Sequence, residues 1–95
     1  MKCLESDYSY SGAKVHVVVY TSSEDICREV KDAESRGVAG VMEFLERHGG
    51  CYVKSEKPLV AESGDGSVSV EIKPMNFIAR TFWASAVEKA REVCR

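Results

Sequence analysis

The chain lacks most of the features that make a small protein's function easy to read. It has two prolines, one tryptophan and two histidines in 95 residues. Its longest apolar run, Val17 to Tyr20, falls far short of the roughly 20 residues needed to cross a bilayer. Residues 1–7 carry no apolar stretch of the secretory kind. The expected location is therefore the cytoplasm, with no membrane partner. There is no large excess of one charge: 13 basic and 15 acidic residues leave a net charge of −2, so the broad cationic field of a free-standing nucleic-acid binder is missing.

Four cysteines are present, but no C-x-x-C pair occurs, and neither His16 nor His48 lies near a cysteine in sequence. Zinc sites draw paired ligands from one turn, so no metal is expected. Without a secretion signal, the expectation is four reduced cysteines, several of them serving as small core residues. No cofactor motif is visible either.

What is present suits one domain over residues 1–95. A chain this short buries about 60–65% of its unfolded surface, too little for a deep enclosed active site. Ala13 to Thr21 is the best strand, rich in β-branched residues. Val15, Val17 and Val19 share one face of it; Val18 and Tyr20 lie on the other. Ser22-Ser23 before Glu24-Asp25 reads as a helix N-cap with acids in the first turn. An apolar stripe through Ile26, Cys27, Val30 and Ala33 follows. Gly37 and Gly40 precede a second helical pattern, with Val41, Met42, Phe44 and Leu45, that His48-Gly49-Gly50 closes. Either two helices meet there or one helix bends near Gly37.

Cys51 to Ser55 reads as a strand that Pro58 to Ala61 extends after an irregularity. Ser63-Gly64-Asp65-Gly66 is a hairpin turn, and Ser67 to Lys73 is an alternating strand. Asn76 caps a last helix reaching Cys94, with Ile78, Phe82, Ala86, Ala90 and Val93 at near-helical spacing and Lys89, Arg91 and Arg95 near its negative end. The expected order is β-α-(α)-β-β-α. It gives an α+β two-layer sandwich: a three-stranded sheet with helices on one face. Residues 1–12 would be a flexible arm or an edge strand. Val18 and Tyr20 on the uncovered face suggest a partner, such as a second copy. Phe82 beside Trp83 cannot share one helix face, so one of them is expected at an interface.

No catalytic residues are assigned. Glu24-Asp25 and Glu43 with Glu46 suit helix termini and solvated faces rather than acid–base chemistry. Cys27 and Cys51 have no motif-based partner histidine. Gly64-Asp65-Gly66 contains an acid that repels phosphate. Gly37-Val38-Ala39-Gly40 has the Gly-x-x-Gly form and lies between two helices, so the chain resembles a KH domain, whose corresponding loop clamps a nucleic-acid backbone. Charge is uneven. Residues 24–47 hold seven acids against four bases, while residues 51–95 hold six acids against seven bases. A nucleic-acid face would therefore lie in the second half.

Lys14-Val15-His16-Val17-Val18-Val19, Ser23-Glu24-Asp25, Tyr52-Val53-Lys54-Ser55-Glu56, Val70-Glu71-Ile72-Lys73 and Ala79-Arg80 together span most of the chain. In that order they resemble the small dimerising subunit of the KEOPS complex, which makes threonylcarbamoyladenosine in tRNA. The stretch from Val38 to Gly49 is longer than in that family. The resemblance implies a non-catalytic homodimer that docks a catalytic subunit and helps hold tRNA. Arg80, Lys54 and Lys73 would meet RNA or a partner, with Phe82 and Trp83 as interface anchors. Two other readings stand beside it: a KH-like RNA-binding module acting through Gly37 and Gly40, and an orphan interaction protein with no nucleic-acid role.

Overall fold

The structure is a computed structural model and describes residues 1–48 and 50–94. Gly49, expected to help close the second helix, and Arg95, expected at the last helix end, lie outside the described residues.

Five strands of the described residues form one antiparallel sheet: β1 (Lys2–Tyr10), β2 (Ala13–Thr21), β3 (Cys51–Glu56), β4 (Leu59–Ser63) and β5 (Val68–Pro74), in the order β1-β2-β5-β4-β3. The three-stranded expectation is corrected at two places. Residues 1–12 are an edge strand with its turn, paired with β2 from Lys2↔Tyr20 to Tyr10↔Ala13. The chain turns at Ser11 and Gly12, both at positive φ (49° and 87°), as a two-residue hairpin requires. The second correction is at Pro58. Pro58 to Ala61 does not prolong the strand before it. Proline cannot donate to a ladder, and the chain folds back there, so that Val53 pairs with Ala61 and Glu56 with Leu59.

Among the described residues, four helices and a one-turn 3-10 segment make the second layer. Helix α1 (Glu24–Ala33) starts where Ser23 Oγ accepts the Ile26 amide at 3.3 Å. A 3-10 turn (Glu34–Arg36) leads into α2 (Gly37–Arg47), with Gly37 at φ 75°. Two helices therefore meet at Gly37. The last helical region is also broken: α3 (Phe77–Thr81) and α4 (Trp83–Val93) meet at Phe82, whose φ and ψ of −101° and 16° are not helical. The buried stripe runs through both helices one residue beyond the expected Ile78, Phe82 and Ala86. Ala79, Trp83, Val87, Ala90 and Cys94 are buried, while Ile78, Phe82 and Ala86 are exposed.

The core lies between the layers. Val17, Val19, Val68 and Val70 from the sheet and Val30, Val41 and Leu45 from the helices are all but inaccessible. Completely burying such side chains stabilises by roughly 1.5–3 kcal/mol each.

The reduced-cysteine expectation is overturned. Cys3 is bonded to Cys27 and Cys51 to Cys94, leaving no free cysteine. The first bond fastens β1 to α1; the second fastens the start of β3 to the end of α4. No helix of the described residues is long and apolar enough to cross a membrane.

Candidate functional site: two hollows on either side of Trp83

The register of β4 against β5 places Leu59 opposite Ile72. Lys57-Pro58 therefore lies beside Lys73-Pro74. Helix α3 brings Arg80 to the same place, because Asn76 fixes its start. Asn76 Oδ1 accepts the Ala79 amide at 2.9 Å and the Lys14 amide at 3.2 Å, and its Nδ2 donates to the Gly12 carbonyl at 2.8 Å. One side chain thus caps α3 and ties it to the β1–β2 turn.

The result is an open cleft of about 420 Å³ lined by Lys57, Pro58, Lys73, Pro74, Arg80 and Trp83. It holds three cations and no carboxylate. Lys73 pairs with Glu71 at 3.1 Å; Lys57 and Arg80 have no ion pair among the described residues. Trp83 forms the rigid wall. It is buried, and its indole Nε1–H donates to the Glu56 carbonyl at 2.6 Å. Arg91 pairs with the Glu56 carboxylate from the next turns of α4.

On the other side of Trp83 the two helical units do not close over the sheet. An apolar groove of about 430 Å³ runs between α2 (Val38, Met42) and α4 (Ala86, Ala90), floored by Val15, Leu59 and Ile72. Tyr10 and Phe82 stand at its rim, 69% and 62% exposed. Met75, Phe77 and Ile78 are exposed on the neighbouring turn.

The open face of the sheet is a lattice of charge pairs. The His16 ring lies between two carboxylates, with Nδ1 2.5 Å from Asp7 and Nε2 2.8 Å from Glu5. Asp7, then Glu5, raise its pKa above the ordinary value. Tyr52 donates its hydroxyl to Glu62 at 2.7 Å, and Lys54 meets the same carboxylate at 3.1 Å. These partners hold Glu62 below its usual range.

The sequence-derived site residues are dispersed by this arrangement. Arg80 and Lys73 come together in the basic cleft. Lys54 does not join them; it belongs to the Glu62 pair on the open sheet face. Gly37 and Gly40 form the first turn of α2, where Gly40 is buried. A Cβ on Gly40 would lie 2.2 Å from the Ala33 carbonyl oxygen, so the glycine is needed for close approach of the two helical segments. Val18 is buried, flanked in register by Glu5 and Glu71, and Tyr20 is 38% exposed. Large apolar exposure lies instead at the α3 end. Of the two adjacent aromatics, Phe82 faces outward and Trp83 inward. Lys57 was missed from the sequence. The signal was the second Lys-Pro pair, since Lys57-Pro58 and Lys73-Pro74 are the chain's only two prolines.

Among the described residues there is no cluster of three or more histidine, cysteine or carboxylate side chains arranged to hold a metal ion. Compared with protein-family models, with curated proteins and with solved structures, the chain gives no match.

Proposed function

We propose that the chain is a non-catalytic, dimerising accessory subunit of a tRNA-modifying assembly of the KEOPS kind. One observation carries the reading: a carboxylate-free basic cleft and an apolar, aromatic-rimmed groove lie back to back across Trp83. The cleft suits a nucleic-acid backbone, because phosphates are held chiefly by lysine and arginine. The groove suits a protein, because interface centres are apolar and enriched in aromatic residues. Phe82 belongs to the rim and protrudes, so a two-fold contact could place it against the equivalent groove of a second copy. In this reading Arg80, Lys73 and Lys57 touch RNA, and Phe82 and Tyr10 touch protein. The assembly would work in the cytoplasm, in a cell whose thiol pool leaves the buried Cys51–Cys94 bond closed.

Sizing and tRNA titration test this directly. The chain should run as a dimer, and Phe82→Asp should make it a monomer. tRNA affinity should fall as salt rises, and Arg80→Ala or Lys57→Ala should each lower the salt slope by about one. Lys54→Ala should leave tRNA binding unchanged. A strict monomer would remove the subunit reading. Salt-independent or undetectable tRNA binding would remove the RNA role and leave a protein-interaction module. Purification from the native cell should bring a catalytic subunit with the chain.

A further inference from the structure

The two disulfides sit in different surroundings. Cys51 and Cys94 are buried. Cys3 and Cys27 are half-buried and line an open hollow of about 460 Å³. Lys2, Arg28 and Lys31 line the same hollow against one carboxylate, Glu24. Lys2 also meets Glu5 at 3.2 Å and Arg28 meets Asp25; Lys31 has no ion pair among the described residues. Cys27 is the fourth residue of the ten-residue helix α1, its amide bonded to the Ser23 carbonyl at 3.0 Å, one turn in from the positive end.

The strand held by this bond is at the edge of the sheet, paired on one side only. None of the nine residues of β1 is buried. Its remaining ties are the ladder to β2, the packing of Leu4 and Tyr8 against the core, the bonds of the Tyr8 and Ser6 hydroxyls to Glu34 at 2.8 and 3.5 Å, and the pairing of Glu5 and Asp7 with His16. Beside it in the sheet, Val17 and Val19 of β2 are fully buried.

We propose that Cys3–Cys27 is a thiol-exchange site for a small, carboxylate-bearing thiol, and that its opening releases β1 while Cys51–Cys94 stays closed. The small thiolate attacks Cys3 Sγ and a new S–S bond forms between them. The Cys3–Cys27 bond breaks, and its electron pair leaves on Cys27 Sγ as a thiolate. Arg28, Lys31 and the helix N-terminus favour that thiolate, and so favour Cys27 as the leaving group. A second small thiol attacks the mixed disulfide and frees Cys3. In balance, two small thiols become one disulfide and one protein disulfide becomes two thiols; the two protons the small thiols release to water are the two the protein thiols take up. The carboxylates of the incoming thiol suit the lysines and arginine of the hollow. Burial denies the same access to Cys51–Cys94.

The test is a graded glutathione titration of the intact protein, quenched by alkylation and read by mass spectrometry, with hydrogen exchange measured in parallel. Cys3 and Cys27 should be labelled at glutathione levels that leave Cys51 and Cys94 unlabelled. Amides of residues 2–10 and 13–21 should then exchange faster by about tenfold or more, as expected for a segment that opens locally. Relative to a small reference disulfide, cationic cysteamine should react more slowly than glutathione, and Lys31→Glu should narrow the difference. A Cys3→Ser, Cys27→Ser double variant should show the fast exchange with no thiol added. Joint opening of both bonds, earlier opening of Cys51–Cys94, or equal relative rates for the two thiols would overturn the exchange site. Unchanged protection of β1 in the double variant would overturn the release.

Discussion

A Cβ placed on Gly40 would come within 2.2 Å of the carbonyl oxygen of Ala33. Backbone cannot swing aside as a flexible side chain can. Gly40→Ala should therefore cost about 1–3 kcal/mol, the range for overpacking a filled interior, measured by urea unfolding. Gly37 has open space around its Cβ position, and only its φ of 75° resists a side chain. Gly37→Ala should cost about 1 kcal/mol, from strain at that φ. If Gly37→Asp abolished tRNA binding in a folded protein, the Gly-x-x-Gly backbone clamp would regain its claim.

Asn76 makes three hydrogen bonds with separate consequences. Asn76→Ala removes an N-cap worth about 1 kcal/mol and two further bonds near 0.5–1 kcal/mol each. A loss of about 2 kcal/mol in thermal or urea unfolding is expected. Asn76→Asp keeps the acceptor and loses the donor to Gly12, so its loss should be smaller. Arg80 should leave the basic cleft in both variants, weakening tRNA binding in the same order.

Trp83 can be dissected by two substitutions. Trp83→Phe keeps a ring and removes the donor to the Glu56 carbonyl, for an expected cost of about 1–2 kcal/mol. Trp83→Ala also opens the wall between cleft and groove, and should cost about 3–5 kcal/mol. Denaturant midpoints for the two variants separate the hydrogen bond from the packing.

His16 makes stability depend on pH through β1. Its folded pKa is raised by Asp7 and Glu5. The stabilisation is therefore complete below the ordinary histidine value of about 6.5 and is lost as pH rises through the higher folded value. The melting temperature should fall across that interval, and His16→Gln should flatten the dependence. A fall that persisted unchanged in the variant would assign it to another group.

Asp65 acts at the opposite end of the scale. The Ser67 hydroxyl and amide and the Ser63 hydroxyl all donate to it, and its pKa falls to about 2. Its contribution is present above the ordinary value of 3.8 and is lost as pH falls toward 2. Asp65→Asn should weaken the acid-limb loss of stability in a pH series of thermal melts.

Local features were legible in the sequence because their causes are local. Ser23 and Asn76 announce helix starts by side-chain chemistry, and β5 announces itself by period-two alternation. The edge strand β1 was harder. Its inward residues are Leu4, Ser6, Tyr8 and Tyr10, and that mixture gives no clear apolar alternation. The hairpin at Pro58 reads as an irregularity until β4 is seen to pair with both β3 and β5. Phe82 faces outward with Ile78 and Ala86 because Ala79, Trp83 and Val87 make the buried stripe, and with apolar residues on both sets of positions the sequence does not decide between them. The disulfides join residues 24 and 43 positions apart, and sequence separation alone does not specify which cysteines meet. The basic cleft depends on the β4–β5 register, so Arg80 and Lys73 could be suspected individually but their meeting with Lys57 could not be derived.

The two disulfides also divide the chain mechanically. One closes a covalent ring over residues 3–27 and the other over residues 51–94, so only residues 28–50 connect them as a single load-bearing thread. Pulled by its ends, the oxidised protein should lengthen chiefly through that thread, by at most about 80 Å at roughly 3.3–3.6 Å per residue. The fully reduced chain would draw out to roughly 330 Å by the same measure. Helix α2 and most of α1 would yield under tension while all five strands, Lys2 of β1 apart, stayed shielded inside closed rings.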